Sequence, residues 1–263
     1  MTKTVVIVMA MEAEAKPFVE HLQLKKDETI FLKGFKAECY AGSLDTTKVY
    51  LILNGKCHKY NVDIVGTVGG AVTTFAAIQA LHPDVIINAG TCGGFKAMGG
   101  EVGSIYLCTR FLNHDRRIAI PGFDAFGVGE LKTVDLNQGL LDHVGAKNGV
   151  VSTGNSLDMV KEDEHYIKLH KATCKDMEGE FTPYYEGDGW FCHSPSSSVR
   201  LSFVSNSPKG TALNHGPSTP RSRSAFEQGP LLLTSATSWG FLCSHSSRSR
   251  TLWTASTLRR RSS

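Results

Sequence analysis

The chain has 263 residues and a formal charge of +3, which is enough length for one large α/β domain with a substantial core. Its seven Cys stand singly with no CxxC pair, which argues against a disulfide framework or a zinc site and for a reducing, cytoplasmic setting. The charge is local: residues 180–263 hold eight Arg and one Lys against four acids, so the +3 says nothing about what residues 1–179 bind.

The apolar run 5–11 is too short to cross a membrane and is followed at once by Glu12 and Glu14. Residues 5–10 therefore read as a buried first strand and not as a signal peptide. A helix is predicted over 14–22, with Pro17 tolerable only in its first turn. Residues 31–32, 37–41 and 49–53 read as strands. The Ala-rich stretch 62–81 predicts a long helix buried on most sides. Central strands follow at 85–89 and 105–109. Short strands at 150–153 and 174–177 flank a polar helix near 161–170. Strands alternating with helices predict a three-layer α/β/α domain with a central mixed sheet, and in such sheets ligands sit at strand ends.

At 180 the pattern stops. Residues 180–263 contain 19 Ser, against four in residues 1–179, and all three Trp. No sustained helical period or clear strand alternation is visible there, and 199–204 and 231–233 are isolated apolar patches. Two units are therefore expected: an incomplete domain over 1–179 and a Ser/Arg/Pro-rich tail over 180–263. The tail reads either as unstructured sequence or as a basic nucleic-acid arm. A shifted reading frame or mis-spliced exon near Gly179 accounts for so sharp a boundary.

Three motifs lie at strand ends. Asn88-Ala89-Gly90-Thr91-Cys92-Gly93-Gly94-Phe95 reads as a strand running into a glycine-rich turn, where the backbone can approach a ligand and Thr91 offers a hydroxyl. Ala10-Met11-Glu12-Ala13-Glu14 places two acids after the first strand, either as helix N-terminal charges or as a carboxylate that orients and deprotonates water. Asp176-Met177-Glu178-Gly179 ends a strand in an acid suited to accept bonds from two vicinal hydroxyls, or to lie on the surface. Cys92 fits better as a small packed residue than as a nucleophile. Asp158 reads best as an N-cap for the helix near Val160.

Together these motifs resemble the plant-type 5′-methylthioadenosine nucleosidases of the nucleoside phosphorylase superfamily, over about residues 4–179. Ser152-Thr153-Gly154-Asn155-Ser156-Leu157-Asp158 and His114-Asp115-Arg116-Arg117 extend the resemblance, with Asn155 where the family has an acid. The resemblance implies that Glu14 works on water, that Glu178 holds the 2′- and 3′-hydroxyls with Met177 against the sugar, and that Thr91 binds the sugar or the water. It implies that Leu157 covers the adenine and that Phe123 and Phe126 form a cup for the methylthio group. No cofactor is implied; a homodimer and a small nucleoside substrate are, without nucleic acid or membrane.

Cleaving an N-glycosidic bond develops positive charge on the ribose and negative charge on the purine, so the base must be protonated. The family uses an Asp in a Val-Ser/Thr-Asp motif for this, and the nearest string here is Val204-Ser205-Asn206, with too long a spacing. Reduced or absent turnover is expected. The rivals are a nucleoside-binding protein without turnover, a basic-tailed RNA-associated protein and a purine nucleoside phosphorylase. The first Arg is Arg110, so neither glycine turn nor N-terminal loop offers an Arg clamp for phosphate, which favours hydrolysis.

Overall fold

The computed structural model describes residues 3–132, 138–179, 198–204, 240–243 and 251–254. In chain order the elements are β1 Lys3–Met9, α1 Glu12–His21, β2 Lys25–Lys26, β3 Glu38–Leu44, β4 Thr47–Leu53, β5 Lys56–Cys57 and β6 Val62–Asp63. Then come α2 Thr67–Leu81, β7 Val85–Gly94, β8 Ile105–Asn113, α3 Asp124–Val128, β9 Leu131–Lys132, α4 Gln138–Val144, β10 Lys147–Thr153, α5 Lys161–Leu169 and β11 Cys174–Asp176. Three strands lie beyond 180: β12 Ser198–Val204, β13 Gly240–Cys243 and β14 Thr251–Thr254.

Successive side chains of a strand face opposite sides, and β1 uses this to build two cores. Val5, Ile7 and Met9 join Ala15 of α1 and Leu140 and Leu141 of α4. Val6 and Val8 join Ile52 of β4 and Ala77 and Ile78 of α2. The domain is thus layered α/β/α, as expected, around a sheet ordered β11-β10-β8-β12-β7-β1-β4-β3-β2. It is mixed: β1 runs parallel to β4 and β7, while β3 is antiparallel to β4 and β12 to β8.

The sheet also closes on itself. β11 pairs with β10 on one side and antiparallel with β7 on the other, joining β7, β12, β8, β10 and β11 in a ring. Cys92, Tyr106, Cys108, Phe111, Val151 and Cys174 form a buried cluster of their own on these strands. Hydrogen bonding to Cys174 and burial push the Cys92 thiol far above the usual range, so it is a packing residue and not a nucleophile.

Several expectations are corrected. The glycine-rich motif is not a turn: β7 continues through Gly94, because β12 pairs with Gly90, Thr91 and Cys92 while β11 pairs with Gly93 and Gly94. Residues 199–204 are not an isolated patch but a strand parallel to β7, ending with Val204 beside Cys92. The helix read over 62–81 begins at Thr67, because Gly66 has φ of 98°. One face of it is open, with Val68, Val72 and Phe75 exposed. Residues 31–32 form no strand. Pro17 lies in the second turn of α1, since that helix starts at Glu12; packing of Ala15, Phe18, Val19 and Leu22 on the core retains it there.

Candidate active site

Parallel strands β4 and β1 end together beside the middle of β7, which runs on to Gly94. There a pocket is lined by Val8, Met9, Ala10, Glu14, Asn54, Asn88, Ala89, Gly90 and Glu178. Two of the acids singled out in the sequence, Glu14 and Glu178, thus meet across one cavity from chain positions 164 residues apart.

Glu14 is fixed from three directions. Its Oε2 accepts the Met11 N–H at 3.1 Å, closing the N-terminus of α1. Its Oε1 accepts both the backbone N–H and the hydroxyl of Thr91, each at 2.7 Å. Glu14 thus closes the helix N-terminus, as its helix-terminal reading expects, and the same carboxylate lines the pocket. Gly90 lies against this carboxylate, where a Cβ would stand in ordinary contact, 3.4 Å from Oε1. Thr91 does not line the pocket; it positions the carboxylate that does.

Glu178 sits at the N-terminus of α2. Its Oε1 accepts the Gly66 N–H at 2.8 Å, so the positive end of the helix faces a carboxylate. Its backbone carbonyl accepts the Asn88 Nδ2–H at 3.0 Å. Asp176 behaves as a structural acid: it is buried, and its Oδ1 accepts from Thr153 Oγ1 at 2.7 Å and from Gly179 N at 3.2 Å.

The segment 153–160 is held over this edge by a cluster of polar contacts. Asn155 N–H donates to Asp115 at 2.6 Å, and Asn155 Oδ1 accepts from the N–H and hydroxyl of Thr67 at 3.0 and 2.9 Å. The residue that departs from the family pattern thus satisfies the first turn of α2. Lys175, half-buried on β11, donates through Nζ to three successive carbonyls, of Ser156, Leu157 and Asp158. Burial lowers its pKa from the ordinary lysine value. His114 lies beneath, 1% exposed, with Nδ1 3.1 Å from Ser152 Oγ; burial lowers its pKa too. Asp158 caps no helix. The N-cap of α5 is Val160, whose N–H is accepted by Asp163 at 3.1 Å, and Asp163 also pairs with Arg117.

Leu157, Met177, Phe123 and Phe126 do not line the pocket. Leu157 is 78% exposed at the tip of the Lys175-held segment. Met177 is half-buried beside Glu178. Phe123 and Phe126 pack edge to face, 6.2 Å apart and largely exposed, with the Arg116 guanidinium over Phe126. Asn54 and Asn88 were missed in the sequence. Asn54 follows β4 and belongs to no motif, whereas Asn88 opens the glycine-rich motif within β7 but was assigned no role. Asn206 lies outside the described residues.

Comparison with known proteins finds relatives of this chain over the same domain. The phosphorylase superfamily profile covers residues 4–181. A 5′-methylthioadenosine nucleosidase of Arabidopsis thaliana is 44% identical over 182 residues, 69% of this chain and 68% of that protein. A 5′-methylthioadenosine/S-adenosylhomocysteine nucleosidase of the same plant is 38% identical, covering 69% and 71%. The solved structure of the Arabidopsis 5′-methylthioadenosine nucleosidase in apo form superposes with a TM-score of 0.70 at 39% identity, covering 77% of this chain and 81% of that one. With a superfamily match over most of its length and a 44% identical relative, the chain belongs to the 5′-methylthioadenosine nucleosidases of the phosphorylase superfamily.

Proposed function

We propose that the chain hydrolyses the N-glycosidic bond of 5′-methylthioadenosine to adenine and 5-methylthioribose, the reaction of methionine salvage. The observation that carries this reading is the pocket itself: it joins two carboxylates and has no Lys or Arg among its described lining residues. Carboxylates suit a sugar that gains positive charge and a water that loses a proton. Phosphate as the nucleophile needs a cationic clamp, so the same lining speaks against a phosphorylase. Glu178 holds the ribose hydroxyls, Glu14 takes the proton of the water, and the Lys175-held segment with Leu157 covers the adenine.

The leaving purine must be protonated, and here the chain is handicapped. β12 enters the sheet beside β7 and ends at the edge where Thr91 and Glu14 meet; the next two residues are Ser205 and Asn206. An amide can hydrogen-bond a purine nitrogen but delivers no proton. Loss of a general acid costs on the order of 10²–10⁴ in rate, so turnover is slow. The same string favours a second reading, a nucleoside-binding protein with no turnover.

The working unit is a homodimer in the cytoplasm. Val68, Val72 and Phe75 expose one face of α2 at helical spacing, and Ile120, Phe123, Phe126 and Leu157 are exposed as well. A second copy covers these residues and encloses the methylthio end of the substrate. The five described cysteines are free thiols, in keeping with a reducing compartment.

The test is product identity. Chromatography of the sugar product in phosphate buffer separates 5-methylthioribose, which supports hydrolysis, from a sugar phosphate, which would replace it with phosphorolysis. Calorimetric binding of methylthioadenosine without any product would favour the binding protein.

A further inference from the structure

Asn54 follows β4 directly, and the parallel register of Leu53 with Met9 sets it level with Ala10 at the pocket edge of the sheet. It is 3% exposed and lines the pocket with Glu14 and Glu178. Its Nδ2–H donates to the Ile64 carbonyl at 2.9 Å. That bond fixes which end of the amide is which, because a carbonyl can only accept. Its Oδ1 is therefore the free end, and it has no hydrogen-bond partner among the described residues.

A buried amide oxygen without a partner costs about 1–3 kcal/mol. Structural bracketing of Ile64 accounts for the nitrogen and leaves the oxygen unexplained. The oxygen needs a donor from within the pocket. Neither carboxylate supplies one, since an ionised carboxylate only accepts. Three acceptors thus border one small cavity: Glu14, Glu178 and Asn54 Oδ1.

We propose that Asn54 is a positioning residue for the attacking water, which donates one hydrogen to Glu14 and the other to Asn54 Oδ1. Both hydrogens then point at the protein, and a lone pair of the water oxygen points into the cavity. On attack, the water oxygen bonds to the sugar carbon as the bond to the purine breaks, and the proton held by Glu14 passes to that carboxylate. Asn54 gains and loses no proton; it restricts the rotation of the water. This assignment rests on the hydrolytic reading above, and its test separates the two.

The test combines a crystal structure of the full chain at high resolution with the Asn54→Leu variant. An ordered water is expected within about 3.2 Å of both Asn54 Oδ1 and a Glu14 oxygen. Asn54→Leu removes that water and slows adenine release about tenfold, the typical worth of one well-placed hydrogen bond, while methylthioadenosine affinity stays within about twofold. A role confined to bracketing Ile64 lowers the melting temperature and leaves the rate of the folded fraction intact, which overturns the proposal. So does a crystal structure in which Oδ1 binds a substrate hydroxyl directly, or a water that does not touch Glu14. If the wild-type chain releases no adenine, the hydrolytic reading fails on its own, and the presence or absence of the shared water still decides the placement of Asn54.

Discussion

Replacing Gly154 with Ala tests how the segment 153–160, which we propose covers the adenine, is seated. A Cβ at 154 would stand 2.2 Å from His114 Nε2, 2.7 Å from Cε1 and 2.9 Å from Cδ2. The ring has nowhere to go: His114 is 1% exposed, its Nδ1 is 3.1 Å from Ser152 Oγ, and its backbone N–H donates to Thr153 O at 3.1 Å. The other escape is to lift the segment, which breaks the Gly154 N–H bond to Asp176 O and the Asn155 contacts with Asp115 and Thr67. Overpacking of this kind costs about 1–3 kcal/mol. For a domain of this size that lowers the melting temperature by roughly 2–12 °C. Thermal unfolding measures the loss, and calorimetry with methylthioadenosine measures whether the displaced segment weakens binding. An unchanged melting temperature would refute the packing argument, and an unchanged affinity would detach the segment from the ligand.

Three further predictions address other parts of the account. Burial holds His114 below its ordinary pKa of 6.5, so between the two values the unfolded chain binds more protons than the folded one. Stability therefore falls as pH drops below the ordinary histidine range, and His114→Gln flattens that slope in melting curves taken from pH 8 to 5. Leu201 of β12 pairs with Ala89 on one side and Leu107 on the other. Leu201→Pro removes a ladder donor from a central strand and should abolish cooperative unfolding of the domain; a native-like melt would show that β12 is dispensable. Lys175→Met frees the carbonyls of Ser156, Leu157 and Asp158. Hydrogen exchange in that segment should rise while exchange in β1 stays the same.

Much of the site was legible because its chemistry is local. Glu14 and Glu178 stand in short motifs that follow strands, and the alternation of strands with helices gave the layered sheet. What could not be read depends on partners distant in the chain. Asn88 to Gly94 has the glycine content of a turn, yet it stays extended because β12 and β11 supply strands on its edges. Local propensity yields to such pairing. The start of α2 is hidden because the apolar run continues through Val62 to Val65, and the break comes from the backbone of Gly66. Residues 31–32 have the composition of a strand but pair with no strand among the described residues. Asn54 carries no motif; only its burial beside two carboxylates marks it.

The most direct measurement is the rate of adenine release from methylthioadenosine in phosphate-free buffer, for the chain and for a chimera whose residues after Gly179 are replaced by the matching segment of the Arabidopsis 5′-methylthioadenosine nucleosidase. The account predicts slow release by the chain and a gain on the order of 10²–10⁴ in the chimera, with neither rate changed by added phosphate. Release that depends on phosphate, or a well-folded chimera no faster than the chain, would contradict it.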